Sequence, residues 1–161
     1  MGRINLKLTS SVLDLDWSEV QIKLTRFIRD YVEKSGAKGV VLGLSGGIDS
    51  CTVAALSALA IGGDKVLGVM LPEKETFNVS DIEHARLVAE KFGLRAVKID
   101  ISSTLEAFYT SIPRFDPLDN TCKGNLKART RMIYVYYYAN KRNKIVCGSS
   151  DKSETMMGYF T

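Results

Sequence analysis

Histidine occurs once and cysteine three times in 161 residues, so the side chains that hold most zinc sites are scarce. Cys51, Cys122 and Cys147 are odd in number and form no Cys-x-x-Cys pair, which supports neither a disulfide framework nor a zinc site. They read as small buried apolar residues in a reducing compartment, with Cys51 placed where a helix N-terminus can lower a thiol pKa. His84 lies in a helical stretch among charged neighbours and reads as a surface residue, not a general base. No window approaches the roughly 20 apolar residues of a membrane span, and Met1 to Leu8 lack the apolar centre of a signal peptide. Gly2 is followed by Arg3, and position 6 is Leu instead of the Ser or Thr of a myristoylation signal. A cytoplasmic protein with no membrane partner is expected. Net charge is only +4, too mild to require nucleic acid. Internal repeats and low-complexity segments are absent from the sequence.

Hydrophobic residues make up 45% and charged residues 25%, which suits a globular chain with a real core. By length, residues 1–161 form one domain. An arm with a polar turn at Thr9, Ser10 and Ser11 is expected first. Asp16 and Glu19 then look like a capping pair for a helix that presents Val20, Leu24, Phe27, Ile28 and Tyr31 on one packed face and stops at Gly36. Gly39 to Leu44, Val66 to Leu71, Ala96 to Ile99 and Lys144 to Cys147 read as buried strands. Helices are expected from Ile48 to about Gly62, from Ser80 to Gly93 with a capping box, around Thr104 to Tyr109, from Asn125 to Asn140 and from Lys152 to Gly158. The stretch Pro113 to Cys122 reads as a long irregular loop. Buried strands alternating with helices predict an α/β fold, a doubly wound parallel sheet flanked by helices. Sites in such sheets lie beyond the C-terminal ends of the strands.

The most informative stretch is Gly43-Leu44-Ser45-Gly46-Gly47-Ile48-Asp49-Ser50. An apolar strand ends there, two glycines allow a sharp turn and close backbone approach, and a helix begins. Unpaired N–H groups and the positive end of the helix dipole make that turn an anion cradle. It is not a Walker loop, since no Gly-Lys-Ser/Thr follows, and it lacks Gly-x-Gly-x-x-Gly. Asp49 is the discriminating residue. A carboxylate beside phosphates repels them unless a divalent cation intervenes, and Mg²⁺ takes one or two carboxylates plus phosphate oxygens.

Ser45 to Ser50 matches the SGGxDS signature of the ATP pyrophosphatase, or PP-loop, superfamily. Two further stretches, Lys123 to Met132 and Gly148 to Thr161, resemble the ammonia-dependent NAD synthetase family, and with Leu71-Pro72 and the helix after Ser80 the likeness covers nearly everything from Gly39 onward. The resemblance implies an adenine nucleotide alpha hydrolase-like fold and ATP bound by Gly43 to Ser50, with Ser45, Gly46, Gly47 and Ser50 around the pyrophosphate. It implies that Asp49 and Glu154 share Mg²⁺, that Ser149 stands where the family has an ATP-contacting Thr, and that Arg129 contacts deamido-NAD. The implied reaction amidates deamido-NAD with ammonia through an acyl-adenylate, giving NAD, AMP and pyrophosphate. No catalytic acid or base is assigned, and Cys51 has no His partner. There is no room for a glutaminase domain, so ammonia is free or comes from a donor subunit. The family continues past Thr161 with a Lys and an Asp for deamido-NAD and a second Lys for ATP, so a C-terminally truncated domain is expected. The same loop occurs in tRNA-modifying PP-loop enzymes, against which the missing Cys-x-x-Cys counts, and a non-catalytic ATP-binding module is the other alternative.

Arg129 and Arg131, two apart on a helix, point roughly 200° apart, so at most one clamps a given ligand. From Arg114 to Lys144 eight Lys or Arg face two Asp, a local surplus of six positive charges that suggests an electrostatic funnel. Leu126, Ile133 and Tyr137 are expected on that helix's packed face, while Tyr134, Tyr136, Tyr137 and Tyr138 surround it, so some must leave the core. A homodimer interface is the expected use.

Overall fold

Val40–Gly43 (β1), Val66–Met70 (β2), Arg95–Lys98 (β3) and Ile145–Val146 (β4) lie side by side in one parallel sheet, in the order β3-β2-β1-β4. Strands β1 and β2 are buried, whereas the edge strand β3, expected to be buried, is mostly exposed. The computed structural model describes residues 14–76 and 78–160. The expected N-terminal arm with its turn at Thr9 lies outside the described residues. Helix α1 (Trp17–Ser35) is capped by the Asp16 carboxylate, which accepts the N–H groups of Ser18 and Glu19 at 3.0 and 3.1 Å, and ends at Gly36. Then follow β1 (Val40–Gly43), α2 (Ile48–Ile61), a 3₁₀ turn (Gly63–Lys65), β2 (Val66–Met70), α3 (Val79–Lys91), β3 (Arg95–Lys98), α4 (Ser102–Ser111), α5 (Asn120–Arg142), β4 (Ile145–Val146) and α6 (Lys152–Met157).

Alternation along the strands decides which helices each face takes. Val40, Leu42 and Leu44 of the β1 segment join Val66 and Met70 of β2 against α1, α2 and α3, meeting Val32, Ala54 and Ile82. Val41, Leu67 and Val69 turn the other way, onto Leu105 of α4 and Val135 of α5. The sheet is thus covered on both faces, as a continuously apolar strand requires. Gly68 leaves the space that Leu44 fills, since a Cβ there would stand 2.9 Å from Leu44 Cδ2.

Some expectations are corrected. On α1 the buried residue is Val32, with Val20, Thr25 and Ile28 half-buried beside it, whereas Phe27 and Tyr31 are 64% and 60% exposed. The helix lies on α2, where Arg29 Nε donates to the Ala60 carbonyl at 2.9 Å, and this turns the Leu24–Phe27–Tyr31 stripe outward. Helix α3 begins at Val79, capped by Asn78, whose Oδ1 accepts the N–H and the hydroxyl of Ser80. No Ser80 capping box forms. Helix α5 begins at Asn120 because the Asp119 carboxylate accepts the Cys122 N–H at 2.9 Å, so the irregular stretch shortens. Its buried residues are Thr130, Val135 and Ala139, whereas Ile133 and Tyr137 are exposed. Cys122 is exposed, unlike the half-buried Cys51 and Cys147.

Leu42 sits at the sheet centre with no exposed surface. Leu42→Ala is expected to lower stability by about 2–5 kcal/mol in urea unfolding. A loss under about 1 kcal/mol would contradict this packing.

Candidate nucleotide site

Strand order makes the site before any side chain does. The chain steps from β1 to β2 to β3 in one direction and then returns to place β4 on the other side of β1, so the order reverses between β1 and β4. A crevice at such a reversal, outside the carboxyl ends of the strands, is where open α/β sheets bind ligands. Here it opens as a cavity of about 390 Å³ lined by Gly43, Ser45 and Ser50 of the first loop, Leu71 and Thr76 beyond β2, Asp81 of α3, Arg131 of α5 and Ser149 beyond β4.

The glycine-rich loop is shaped by its own hydroxyls. Ser45 Oγ and Ser50 Oγ lie 2.9 Å apart; Ser50 Oγ also accepts the Ser45 N–H at 3.2 Å, and Ser45 Oγ accepts the Gly47 N–H at 3.2 Å. Gly46 takes φ +92°, and a Cβ there would meet the Asp81 carbonyl oxygen at 2.0 Å. Only glycine permits both the conformation and the approach. Gly47 is the N-cap of α2 and supplies no side chain to the first-turn N–H groups. Those donors and the helix dipole are therefore available to an anion. The Ile48 side chain is 80% exposed and contributes only its backbone to this arrangement.

Asp49, in the first turn of α2, is exposed and makes no hydrogen bond or ion pair with the described residues. Glu154 is half-buried in α6, where a capping box forms: its Oε2 accepts the Asp151 N–H at 3.1 Å while Asp151 Oδ1 accepts the Glu154 N–H at 2.7 Å. No group of three His, Cys, Asp or Glu that could hold a metal occurs among the described residues. Neither Asp49 nor Glu154 is among the residues that line the cavity. Carboxylates are donors of the kind that Mg²⁺ takes together with phosphate oxygens and water, whereas zinc prefers His and Cys.

Ser149 lines the cavity, whereas Arg129, for which a deamido-NAD contact is expected, does not. Arg129 lines a separate hollow of about 410 Å³ with Arg114, Phe115, Asp119 and Cys122. Arg131 is the arginine at the nucleotide cavity, and its Nε donates to the Leu71 carbonyl at 3.2 Å. Thr76, Asn78 and Asp81 also line the cavity, yet the sequence does not mark them as site residues, because the signals around them, a polar loop and a helix start, are structural ones. The Cys51 thiol is not activated; burial pushes its pKa up, against the opposing Ser50 hydrogen bond.

Beside the cavity lies a charge network that the sequence reading also missed. Glu73 is buried and accepts from Lys127 Nζ at 2.8 Å, the Thr76 hydroxyl at 2.6 Å and the Glu75 N–H at 2.9 Å. Burial alone would raise its pKa, but Lys127, Thr76 and the Glu75 N–H outweigh it and bring the carboxyl from an ordinary 4.5 to about 2. Lys127 and Lys123 also hold Glu75 at 2.6 and 2.7 Å, so two cations of the expected funnel are neutralised.

Comparison with known proteins places this geometry. The family model described as NAD synthase matches residues 20–161. The chain belongs to the NAD synthase family. It is 50% identical over 147 residues to the NH(3)-dependent NAD(+) synthetase of Methanocaldococcus jannaschii, covering 89% of this chain and 55% of that protein. The chain therefore spans about half the length of such NAD synthetase relatives. NMN synthetase from Francisella tularensis superposes with a TM-score of 0.84 at 36% identity, covering 92% of this chain and 60% of that one. A glutamine-dependent NAD+ synthetase from Acinetobacter baumannii, in complex with ADP, gives a TM-score of 0.86 at 36% identity over 92% of this chain and 28% of its own. The NAD synthase family thus shares this fold across ammonia- and glutamine-dependent members.

Two outcomes are expected. Gly46→Ala should destabilise the domain by about 2–4 kcal/mol in chemical denaturation, because the left-handed conformation and the Asp81 contact are lost together. Glu73, with its folded pKa depressed, contributes stability that is fully present above about 4.5 and is lost as pH falls toward about 2. Acid titration of stability should therefore be flatter in Glu73→Gln than in the wild type, and an unchanged acid limb would contradict the assignment.

Proposed function

We propose that this chain forms the ATP-binding part of an ammonia-dependent NAD synthetase, which joins ammonia to the nicotinate carboxyl of deamido-NAD with conversion of ATP to AMP and pyrophosphate. The observation that carries this reading is the α2 N-terminus, free of any side-chain cap, opening on the cavity at the strand-order reversal in a member of the NAD synthase family. In the first step a nicotinate oxygen bonds to the α-phosphorus of ATP and the bond to pyrophosphate breaks. In the second, ammonia bonds to the carbonyl carbon, AMP departs with the C–O electrons, and the nitrogen sheds its extra protons to solvent. A free carboxylate is a poor electrophile, and adenylation supplies its leaving group.

The chain's own contribution is positioning and charge neutralisation. The N–H groups of Gly46 and of Ile48 to Ser50 would hold the departing pyrophosphate, with Ser45, which accepts the Gly47 N–H, and Ser50 fixing the loop. Gly43 and Leu44 would border the nucleotide, and Ser149 and Arg131 would contact it from β4 and α5. Asp49 and Glu154 would hold Mg²⁺, whose charge offsets that of the phosphates. Arg129, on its own hollow, would take deamido-NAD.

Two wider features belong to the same proposal. The exposed Tyr136 and Tyr137 of α5 and the Phe27–Tyr31 side of α1 suit a homodimer interface. A cytoplasmic setting belongs to the same reading; no helix among the described residues is long and apolar enough to cross a membrane. The Francisella tularensis relative named as an NMN synthetase supports a second reading, in which the acid precursor of NMN replaces deamido-NAD.

The test is AMP, pyrophosphate and NAD formation from ATP, deamido-NAD and ammonium, with nicotinate mononucleotide and tRNA as alternative acceptors and ATP binding measured by calorimetry. Asp49→Asn is expected to weaken Mg²⁺-dependent ATP binding about tenfold, the scale of one charge-assisted contact, with an unchanged melting temperature. If the chain neither binds ATP nor forms AMP, the proposal is wrong.

A further inference from the structure

Glu73 is a buried carboxylate for which the proposed chemistry has no use. It is 3% exposed, lies just beyond β2, and ties that loop to α5 through Lys127. Replacing a buried ion pair by apolar residues is often neutral or stabilising, so stability alone is a weak reason for such a pair. Its other partner is more telling. Glu73 is ionised and can only accept hydrogen bonds, so the proton between it and Thr76 belongs to the Thr76 hydroxyl, 2.6 Å away. That hydroxyl therefore has only lone pairs left to offer, and Thr76 lines the nucleotide cavity. A lone pair repels phosphate oxygens and attracts N–H or O–H groups, which a nucleotide carries on its base and ribose.

We propose that Glu73 is a positioning residue of the nucleotide site: fixed by Lys127, it takes up the Thr76 hydroxyl proton and so turns Thr76 into an acceptor for a donor on the nucleoside part of the ligand. The inference rests on the reading of the cavity as an ATP site. It divides the cavity into two chemical halves. The α2 N-terminus donates to phosphate, and the β2–α3 loop accepts from the nucleoside. The Lys127–Glu73 pair maintains the second half from outside the ligand's reach.

Calorimetric titration of the whole chain with ATP and with inorganic tripolyphosphate, which has no nucleoside, tests this. Thr76→Val removes the hydroxyl at constant shape and should weaken ATP about fivefold, the scale of one hydrogen bond, while leaving tripolyphosphate binding unchanged. Thr76→Ser should restore ATP affinity. Glu73→Leu, which removes the acceptor that a Gln amide oxygen would keep, should reproduce the ATP loss, and the double variant should be no weaker than Thr76→Val alone, because the two residues act in series. If Glu73→Leu does not fold, Lys127→Met, which frees Glu73 from the partner that fixes it, takes its place and should weaken ATP but not tripolyphosphate; unchanged ATP affinity there would overturn the role of Glu73. Unchanged ATP affinity in Thr76→Val, or an equal loss toward tripolyphosphate, would overturn the inference and leave the ATP site standing. A wild-type chain that binds neither ligand would remove the ATP site and the inference with it.

Discussion

The cavity at the strand-order reversal depends on one close approach, the backbone of Gly46 against the carbonyl oxygen of Asp81, where a Cβ would come to 2.0 Å. Two helix N-termini meet there, because α2 starts at Ile48 and Asp81 lies in the first turn of α3. The contact joins the loop after β1 to the helix after β2 and so fixes the depth of the crevice between them. The hydroxyl bonds of Ser45 and Ser50 hold the loop's curvature, but they act within it and could not seat it against α3. Leaving the first-turn N–H groups of α2 without a cap costs stability in the absence of ligand. Such a cost at one place, held by tight packing around it, is what a binding site imposes on a fold.

Helix α5 supplies the opposite support. Lys127 and Arg131 are four residues apart and therefore lie on one face of the helix. Lys127 holds Glu73 and Glu75, and Arg131 holds the Leu71 carbonyl, so two cations of one helix fix three points of the chain leaving β2. Below them Val135 and Ala139 anchor the same helix to the sheet. The wall of the cavity is thus set by a helix far away in sequence, over separations of 54 residues for Glu73–Lys127 and 60 for Leu71–Arg131.

The division between what could be read in the sequence and what could not follows the range of the interactions. Strands β1 and β2, the loop from Gly43 to Ser50 and the Asp16 cap were legible because their signals are local: an apolar run, a glycine pair, a capping carboxylate a few residues away. Doubly wound topology followed from the alternation of strands and helices. Helix faces were misassigned wherever the apolar stripe had two sides to choose from. The Leu24–Phe27–Tyr31 side of α1 and the Ile133–Tyr137 side of α5 are periodic enough to pack, yet both are exposed here, and periodicity does not say which neighbour a face will meet. Helix α5 started earlier than expected because the Asp119 cap lay inside a stretch read as loop for its prolines. The Glu73 network was invisible because nothing near Glu73 in sequence announces Lys127.

Charge counting shows the same difference between composition and geometry. The surplus between Arg114 and Lys144 suggested a field that attracts anions, but most of those cations have structural partners. Lys123 and Lys127 sit on Glu75 and Glu73. Lys144 donates to the Lys65 carbonyl, and burial, with Arg95 nearby, pushes its pKa down. Arg129 and Arg131 face different hollows. In the proposed ATP site, attraction for phosphate would come from Arg131 and from the backbone donors and dipole of α2, and the latter carry no net charge and so leave no trace in any count of Lys and Arg. Net charge is a property of the chain, whereas the anion binding proposed here would be a property of where one helix begins.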